Sequence, residues 1–248
     1  MAATDIALLT GLIFAAAAIY SAVGHAGASG YIAAMALFGV SPATMKPTAL
    51  TLNILVATLA TYRWNRAGLV AGRPLAPLLT ASIPAAFIGG AIQLPGVWYR
   101  LLIGIVLMAA AFRLFASPRG ASAGCAEAAA VGWPAGLVTG ASVGLLSGLT
   151  GTGGGIFLTP MLLLFGWAGA RQASGITAPF ILVNSIAGLA GNLLSLRGLP
   201  AELPYYMIAA LLGAFVGVNM GIKWMSPIAL QRVLAAVLCV AALKFILV

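Results

Sequence analysis

The sequence contains very few charged side chains, and almost none of them are acidic. Only 6% of its 248 residues are charged, and Asp5, Glu127 and Glu202 are the three acidic ones. A soluble domain carries roughly 25% charged residues. Hydrophobic residues make up 62% of the chain, and its mean hydropathy is +1.12. This composition excludes an ordinary soluble domain and predicts an all-α integral membrane protein.

Histidine and cysteine are almost absent too, which excludes most kinds of catalytic and metal centre. His25 is the single histidine, and the two cysteines, Cys125 and Cys239, have no spacing typical of a metal site or a disulfide framework. No acid or cysteine lies near His25 in the sequence, so neither a catalytic triad nor a metal site can be assembled around it. We therefore expect a protein that is not an enzyme and that needs no cofactor or metal.

The basic side chains outnumber the acidic ones and give a formal net charge of +9. Most of them lie between apolar runs, without the dense basic face or interleaved aromatic residues of a nucleic-acid-binding protein. We interpret this charge as membrane topology and contact with lipid headgroups. The scarcity of carboxylates disfavours a cation transporter, which would need them as ligands, and so favours an anionic solute.

Ten apolar runs divide the chain. Runs of about 20 residues can cross a hydrocarbon core of about 30 Å, but the second and seventh runs are too short to cross it untilted. These two are expected to be re-entrant, broken or strongly tilted, so the chain is predicted to have 8 to 10 membrane segments. The runs fall at residues 5–23, 29–41, 47–62, 75–94, 98–116, 129–147, 154–167, 173–196, 204–223 and 228–247.

Each short run follows a glycine-rich loop, and the two loops lie about half the chain apart. A shift of the sequence by 124 residues superimposes three glycines of the first loop, Gly24, Gly27 and Gly30, on three of the second, Gly148, Gly151 and Gly154. In other parts of the chain, a shift of more than 124 residues aligns the two halves better. The residue-by-residue alignment of the halves between the motifs is therefore open. The pattern predicts two homologous helical repeats, residues 1–120 and 121–248, that form one integrated transmembrane domain.

The glycine loops are candidate binding sites. Irregular backbone at membrane depth persists only inside protein or beside a watery cavity, because its freed N–H and C=O groups find no water in lipid. Glycine lets backbone amides approach a ligand, and the helix after each loop presents unpaired N–H groups that suit an anion. The alternative is that these glycines only allow close helix packing. The candidate substrate-binding residues here are Gly24, His25, Gly27, Ser29 and Gly30 in the first loop, and Thr150, Gly151, Thr152, Gly153, Gly154 and Gly155 in the second.

A cation and a helix with polar side chains follow each short run. The cations are Lys46 and Arg171, which could attract an anion or could snorkel to lipid headgroups. The polar side chains could line a path or could bond neighbouring helices. The candidate substrate-binding residues on these helices are Thr48, Thr51, Asn53, Thr177 and Asn184, accompanied by Ser174 and Ser185.

The basic residues leave two topologies open. If all ten runs cross, the side with more cations is cytoplasmic, both termini are outside and the second repeat is inverted relative to the first. If the two short runs are re-entrant, both termini are inside and the repeats are parallel.

Three stretches carry a resemblance to a known family. Residues 151–160 read Gly-Thr-Gly-Gly-Gly-Ile-Phe-Leu-Thr-Pro, and residues 46–49 and 173–177 follow the two short runs. Together with the two-repeat plan, they resemble the sulfite exporter TauE/SafE family, also described as toluene sulfonate uptake permeases. The first loop departs from the family pattern at His25, Ala26, Ala28 and Ser29, where glycines are commoner. The resemblance implies a multi-pass permease of the cell inner membrane for sulfite, sulfonates or related organic anions.

The scarcity of acids bears on the direction of transport. All three acidic residues lie at segment ends or in loops, so no buried carboxylate is available as a proton relay. Export of a monoanion from an interior-negative cell is downhill by about 2.3 kcal/mol per 100 mV, so potential-driven export is the simplest expectation. The alternatives are uptake of organosulfonates or carboxylates, and a non-transporting membrane scaffold. The expected partners are a small anion and membrane lipid, not nucleic acid, and a homodimer stays open.

Overall fold

The computed structural model is all-helical in the part of the chain that it describes, residues 3–70, 72–92, 131–192 and 199–226 with isolated residues beyond them. Most residues of the predicted runs 98–116 and 228–247 lie outside the described residues. The helices of the described ranges are α1 (Ala3–Ala22), α2 (Ala28–Leu37), α3 (Pro42–Arg66), α4 (Gly72–Ala91), α5 (Trp133–Thr150), α6 (Gly155–Leu164), α7 (Ala170–Gly191) and α8 (Leu203–Lys223).

Four of these helices are long and apolar enough to cross a membrane, namely α1, α4 from Pro74 onwards, α7 and α8. Their outer faces carry large apolar side chains in exposed positions, among them Leu8, Phe87 and Phe215. Exposed side chains of this kind suit contact with lipid rather than water. The prediction of an all-α membrane protein is confirmed at this level.

The two short helices begin directly after the glycine loops. α2 and α6 contain ten residues each, which gives a length of about 15 Å, half the thickness of a hydrocarbon core. Gly24 and Gly27 precede α2 with positive φ, and Gly151 and Gly154 precede α6 in the same way. Glycine adopts this left-handed backbone without strain, so the loops can end one helix and start the next within a few residues.

The positive-φ glycines correct the register that the sequence suggests for the two loops. Gly24 and Gly151, Gly27 and Gly154, and Gly39 and Gly166 all lie 127 residues apart, as do the first residues of α2 and α6. The offset of 124 residues is therefore wrong by three. The physical reason is that Gly-x-x-Gly-x-x-Gly matches itself after a shift of three residues, so only the backbone conformation distinguishes the registers.

Rows of glycines bring two pairs of helices into backbone contact. Along α5, Gly140, Gly144 and Gly148 face the carbonyls of Leu78, Ser82 and Ala86 in α4. Along α8, Gly213, Gly217 and Gly221 face the carbonyls of Phe14, Ala18 and Ala22 in α1. In each pair, the residue numbers of the contacting positions increase in the same direction along both helices, so the two helices are parallel. Such close approach is possible only where a side chain is missing.

α3 and α7 form an antiparallel pair between these flanking pairs. Leu69, just after α3, contacts Gly175 near the start of α7, and Leu50 contacts Gly188 near its end. α4 is antiparallel to α3, because Lys46 at the start of α3 reaches Gly90 at the end of α4. α8 is antiparallel to α7, because Arg171 at the start of α7 reaches Met225 beyond the end of α8. Thus α1, α3 and α8 run in one direction, and α4, α5 and α7 in the other.

Candidate functional site

The first glycine loop packs against the start of α7. A Cβ atom added to Gly24 would lie 2.5 Å from the Cα atom of Ser174, so only glycine allows this approach. The Ser174 hydroxyl donates a hydrogen bond to the carbonyl of Val23 at 2.9 Å. The loop of the first half is therefore held by a helix of the second half.

A chain of three buried polar side chains continues from this loop. His25 Nε2 and Thr159 Oγ1 are hydrogen-bonded at 2.8 Å, and Thr159 Oγ1 and Thr177 Oγ1 are hydrogen-bonded at 2.8 Å. The exposed fractions of the three side chains are 3%, 1% and 0%. They join the first loop, α6 and α7 in the buried interior.

The second glycine loop is held by α3 in a comparable way. Asn53 Nδ2 donates a hydrogen bond to the carbonyl of Thr152 at 3.1 Å and a longer one to Ser185 Oγ at 3.4 Å. A Cβ atom on Gly153 would lie 2.7 Å from Asn53 Nδ2 and 2.8 Å from Ser185 Oγ. The loop backbone therefore rests directly on polar groups of α3 and α7.

Thr177 connects the surroundings of the two loops. Its methyl carbon would lie 2.8 Å from a Cβ atom on Gly155, the first residue of α6. Its hydroxyl belongs to the chain that begins at His25. Both loops thus approach the same helix, α7, within one stretch of buried polar side chains.

The two cations both bind backbone carbonyls at the ends of helices. Lys46 Nζ donates to the carbonyls of Gly90 at 3.0 Å and of Gly89 and Ile92 at 3.4 Å. Arg171 Nη2 donates to the carbonyl of Met225 at 2.8 Å. A positive charge at a helix carboxyl end is stabilised by the helix dipole. Lys46 also touches the second loop, because its Cγ atom would lie 2.9 Å from a Cβ atom on Gly151.

Some of the candidate polar residues bond locally instead of joining these clusters. The hydroxyl of Thr51 donates to Pro47 in its own helix, and Asn184 Nδ2 donates to Phe180 in the same manner. Thr150 bonds Leu146 in its own helix and also Thr152. Thr48 is fully buried in α3.

The remaining candidates of the first loop contact residues of α1 and α2. The hydroxyl of Ser29 donates to that of Tyr20 at 2.9 Å. A Cβ atom on Gly27 would meet the ring of Tyr31, whose hydroxyl bonds the carbonyl of Ala26. Gly30 packs against Ala16 of α1. These residues shape the loop, while Gly24 and His25 are the first-loop candidates that reach the second half of the chain in the described contacts.

Thr159 is the residue of this cluster that the sequence did not single out as a candidate. It lies in the apolar helix α6, one turn after Gly155, and so on the face of α6 that begins at the loop. A hydroxyl at this spacing in an apolar segment is the signal that could have identified it. Its bond to His25, 134 residues away, is visible only after folding.

Several buried polar atoms around the loops have no hydrogen-bond partner among the described residues. They are His25 Nδ1, Thr48 Oγ1, Asn53 Oδ1, Ser147 Oγ and Asn184 Oδ1. In addition, no side chain caps the amino end of α6, where Gly154 is the last residue before the helix. The described residues contain no group of three or more His, Cys, Asp or Glu that could hold a metal ion. These atoms and the uncapped helix end are therefore the candidate hydrogen-bonding groups for a polar solute.

A groove of about 330 Å³ between α1 and α8 does not suit this role. Thr10 and Tyr205 are among its lining residues, but its surface is otherwise formed by apolar side chains such as Phe14 and Leu212. Tyr205 and Leu212 are exposed. An anion would lose its water there without gaining hydrogen bonds.

Comparison with known proteins relates most of the chain to one group of membrane proteins. A family model described as "Sulfite exporter TauE/SafE" matches residues 9–245. A relative described as "Probable membrane transporter protein y4hK", from Sinorhizobium fredii (strain NBRC 101917 / NGR234), is 39% identical over 239 residues, which cover 94% of this chain and 95% of the relative. No solved structure gives a significant match.

Proposed function

Because the chain belongs to the sulfite exporter TauE/SafE family, we propose that it is a permease for small sulfur-containing or organic anions. The observation that carries this proposal is the contact of both glycine loops with α7, through His25, Thr159 and Thr177 on one side and Gly155 on the other. A buried helix break with unpartnered polar atoms is costly in lipid, and it is favoured where a solute supplies the missing partners.

The solute site of this permease is formed by both loops and by the helices that hold them. The second loop contributes the uncapped amino end of α6, whose N–H groups and positive dipole end attract an anion. The first loop contributes His25, and α3 and α7 contribute Asn53 and Thr177. The other candidate residues of the loops and of these two helices complete the lining.

The permease consists of two inverted repeats in a multi-pass arrangement in the cell inner membrane. Three features support this. The glycine pairs lie 127 residues apart. The counterpart of α1 is α5, that of α3 is α7, and that of α4 is α8. The two helices of each such pair run in opposite directions. Lys46 and Arg171 make corresponding contacts at helix ends. Inverted repeats require an odd number of segments in each half, so we propose five in each half, or ten in all.

Transport is a potential-driven export that needs no coupling ion. The described acidic residues, Asp5 and Glu202, lie at the start of α1 and next to the start of α8, so neither is positioned as a relay within the loop clusters. An interior-negative potential drives a monoanion outwards. The second candidate, uptake of organosulfonates or carboxylates, would use the same site in the opposite direction.

Counterflow in proteoliposomes tests the proposed function. Vesicles that contain the purified protein are loaded with unlabelled methanesulfonate or sulfite and then diluted into a trace of the labelled anion. Transient accumulation of label, absent in protein-free vesicles, is expected. A folded protein that gives no counterflow with any small anion would contradict a permease and favour a scaffold. Imposing a potential across the same vesicles then tests whether net flux follows the charge of the anion.

A further inference from the structure

If the chain is an anion permease, as proposed above, we propose further that His25 Nδ1 donates a hydrogen bond to the solute and that the solute is bound as a singly charged oxyanion. Monoanionic sulfonates and bisulfite belong to this class, and sulfate does not. Three features of the structure lead to it, namely the hydrogen-bond pattern of the His25 chain, the difference between the two halves, and the charges near the first loop.

The hydrogen bonds of the polar chain determine which atom of His25 is left to donate. When Thr177 donates to Thr159 and Thr159 donates to Nε2, the one unmatched group of the chain is an N–H at Nδ1. When the bonds run in the other direction, both Nδ1 and the Thr177 hydroxyl proton lack a partner. Because each buried unsatisfied group costs free energy, the first arrangement is favoured. It leaves Nδ1, which has no protein partner among the described residues, as a donor that requires an acceptor.

The chain of polar residues occurs in only one of the two symmetric positions. At the offset of 127 residues, His25 corresponds to Thr152, Thr159 to Ile32 and Thr177 to Leu50. The position around the second loop therefore has apolar residues where the first has hydroxyls. The second loop is instead held by Asn53 and Ser185, so the two halves bring different polar groups to the solute site. The first loop contributes the single histidine of the chain.

The charges around this position suit one negative charge better than two. The titratable neighbours on α1 and α2 are Tyr20, whose ring centroid lies 6.4 Å from that of His25, and Tyr31, which bonds Ala26. α6 contributes none, and α7 contributes Arg171, one turn before Ser174. Arg171 is already bonded to Met225, and Lys46 of α3, beside the second loop, is bonded to carbonyls at the end of α4. The cost of removing an ion from water rises with the square of its charge, so neutral donors beside two cations that are engaged by helix ends compensate a monoanion better than a dianion.

The first experiment measures the dissociation constants of three anions on the purified, unmodified protein by titration. Methanesulfonate is a monoanion throughout the neutral range, sulfate is a dianion, and sulfite changes from monoanion to dianion as pH rises through neutrality. We expect methanesulfonate to bind at least about tenfold more tightly than sulfate. We also expect the affinity for sulfite to fall with rising pH while that for methanesulfonate stays constant, which separates titration of the solute from titration of the protein.

The second experiment uses a matched pair of variants at His25. Nδ1 is bonded to Cγ, as the amide nitrogen of asparagine is, whereas Nε2 lies one bond further out, like the terminal amide of glutamine. His25→Asn therefore keeps a donor near Nδ1, and His25→Gln keeps an acceptor for Thr159 instead. We expect His25→Gln to weaken methanesulfonate binding about 10- to 100-fold, the loss typical of a hydrogen bond to a charged group, and His25→Asn to weaken it much less.

Each outcome bears on a different claim. Equal or tighter binding of sulfate, or a sulfite affinity that rises with pH, would overturn the monoanion. A stronger loss in His25→Asn than in His25→Gln would show that the bond to Thr159 matters and that Nδ1 does not contact the solute. Absence of both binding and counterflow for every anion would overturn the proposed function, and this inference with it. The solute series needs no variant, so a folding defect at His25 leaves it intact.

Discussion

Asn53 of α3 donates a side-chain hydrogen bond to the main-chain carbonyl of Thr152 at 3.1 Å, so the first half of the chain holds the glycine loop of the second half. The converse contact is made by Ser174 of α7, which bonds Val23 beside the first loop. Each loop is thus supported from the other half of the chain. A change in the packing of α3 against α7 would therefore move both loops together.

Asn53→Leu should lower the free energy of unfolding by about 1–3 kcal/mol, because it leaves the buried Thr152 carbonyl without its donor. It should also reduce counterflow, since the loop loses its support. Thermal melting in detergent measures the first effect. Thr58→Val is the matched control, because Thr58 is an exposed residue of α3 whose hydroxyl bonds Ile54 in its own helix. Equal effects of the two substitutions would contradict a special role for Asn53.

Gly154→Ala should abolish anion binding while the protein still folds. Gly154 has φ of 82°, so alanine there is strained by about 1 kcal/mol or more. The new methyl group would also lie 3.0 Å from the ring of Phe180, beside the amino end of α6. The measurement is the melting shift that a saturating anion produces, since a ligand of the folded state raises its stability.

Gly166→Ala is the control for this prediction, because Gly166 has φ of 68° and open space around its Cα atom. The two variants share the backbone strain and differ in position. Gly191 in α7 is unsuitable as a control, because a Cβ atom there would overlap the carbonyl of Phe87. If Gly154→Ala retains the full anion-induced shift, the loop serves packing only.

Arg171→Gln should raise the apparent substrate constant and weaken its dependence on ionic strength, if the guanidinium attracts the anion from solution. Loss of the bond to Met225 should lower the melting temperature as well. Initial rates of counterflow at several salt concentrations measure the kinetic effect. Lys223→Gln, at an exposed basic residue of α8, is the control. A lower melting temperature with unchanged kinetics would assign Arg171 to the helix end alone.

Gly140→Ala should destabilise the protein by about 1–3 kcal/mol, because its Cβ atom would overlap the carbonyl of Leu78 and push α5 away from α4. Alanine favours a helix over glycine by about 1 kcal/mol, so a loss would show that packing dominates. Gly11→Ala in α1 meets open space and should be neutral or stabilising. Equal melting temperatures of the two variants would contradict the close contact of these helices.

Much of the helical plan could be predicted from the apolar runs. The runs at 5–23 and 204–223 coincide within two residues with α1 and α8, because length and hydropathy suffice to identify a membrane helix. α3 extends five residues before its predicted run and four beyond it. Its ends contain Lys46 and Arg66, charged residues at which hydropathy falls although the backbone stays helical.

The candidate site was predicted in part. The glycine loops and His25 were identifiable, because a helix break in an apolar chain is unusual whatever its surroundings. Their partners were not, since the bonds of His25 to Thr159 and of Asn53 to Thr152 join residues 134 and 99 positions apart. A threonine within an apolar helix gives no sign of which segment it will face.

The sequence by itself determined that this protein is a helical membrane protein, because burial in lipid depends on composition and on the length of apolar runs. Only the tertiary structure decided the register of the loops, the relative direction of the helices, and the engagement of Lys46 and Arg171 with helix ends. These depend on backbone conformation and on contacts between distant segments. Such contacts are chosen by packing of the whole chain, and a local pattern of residues does not encode them.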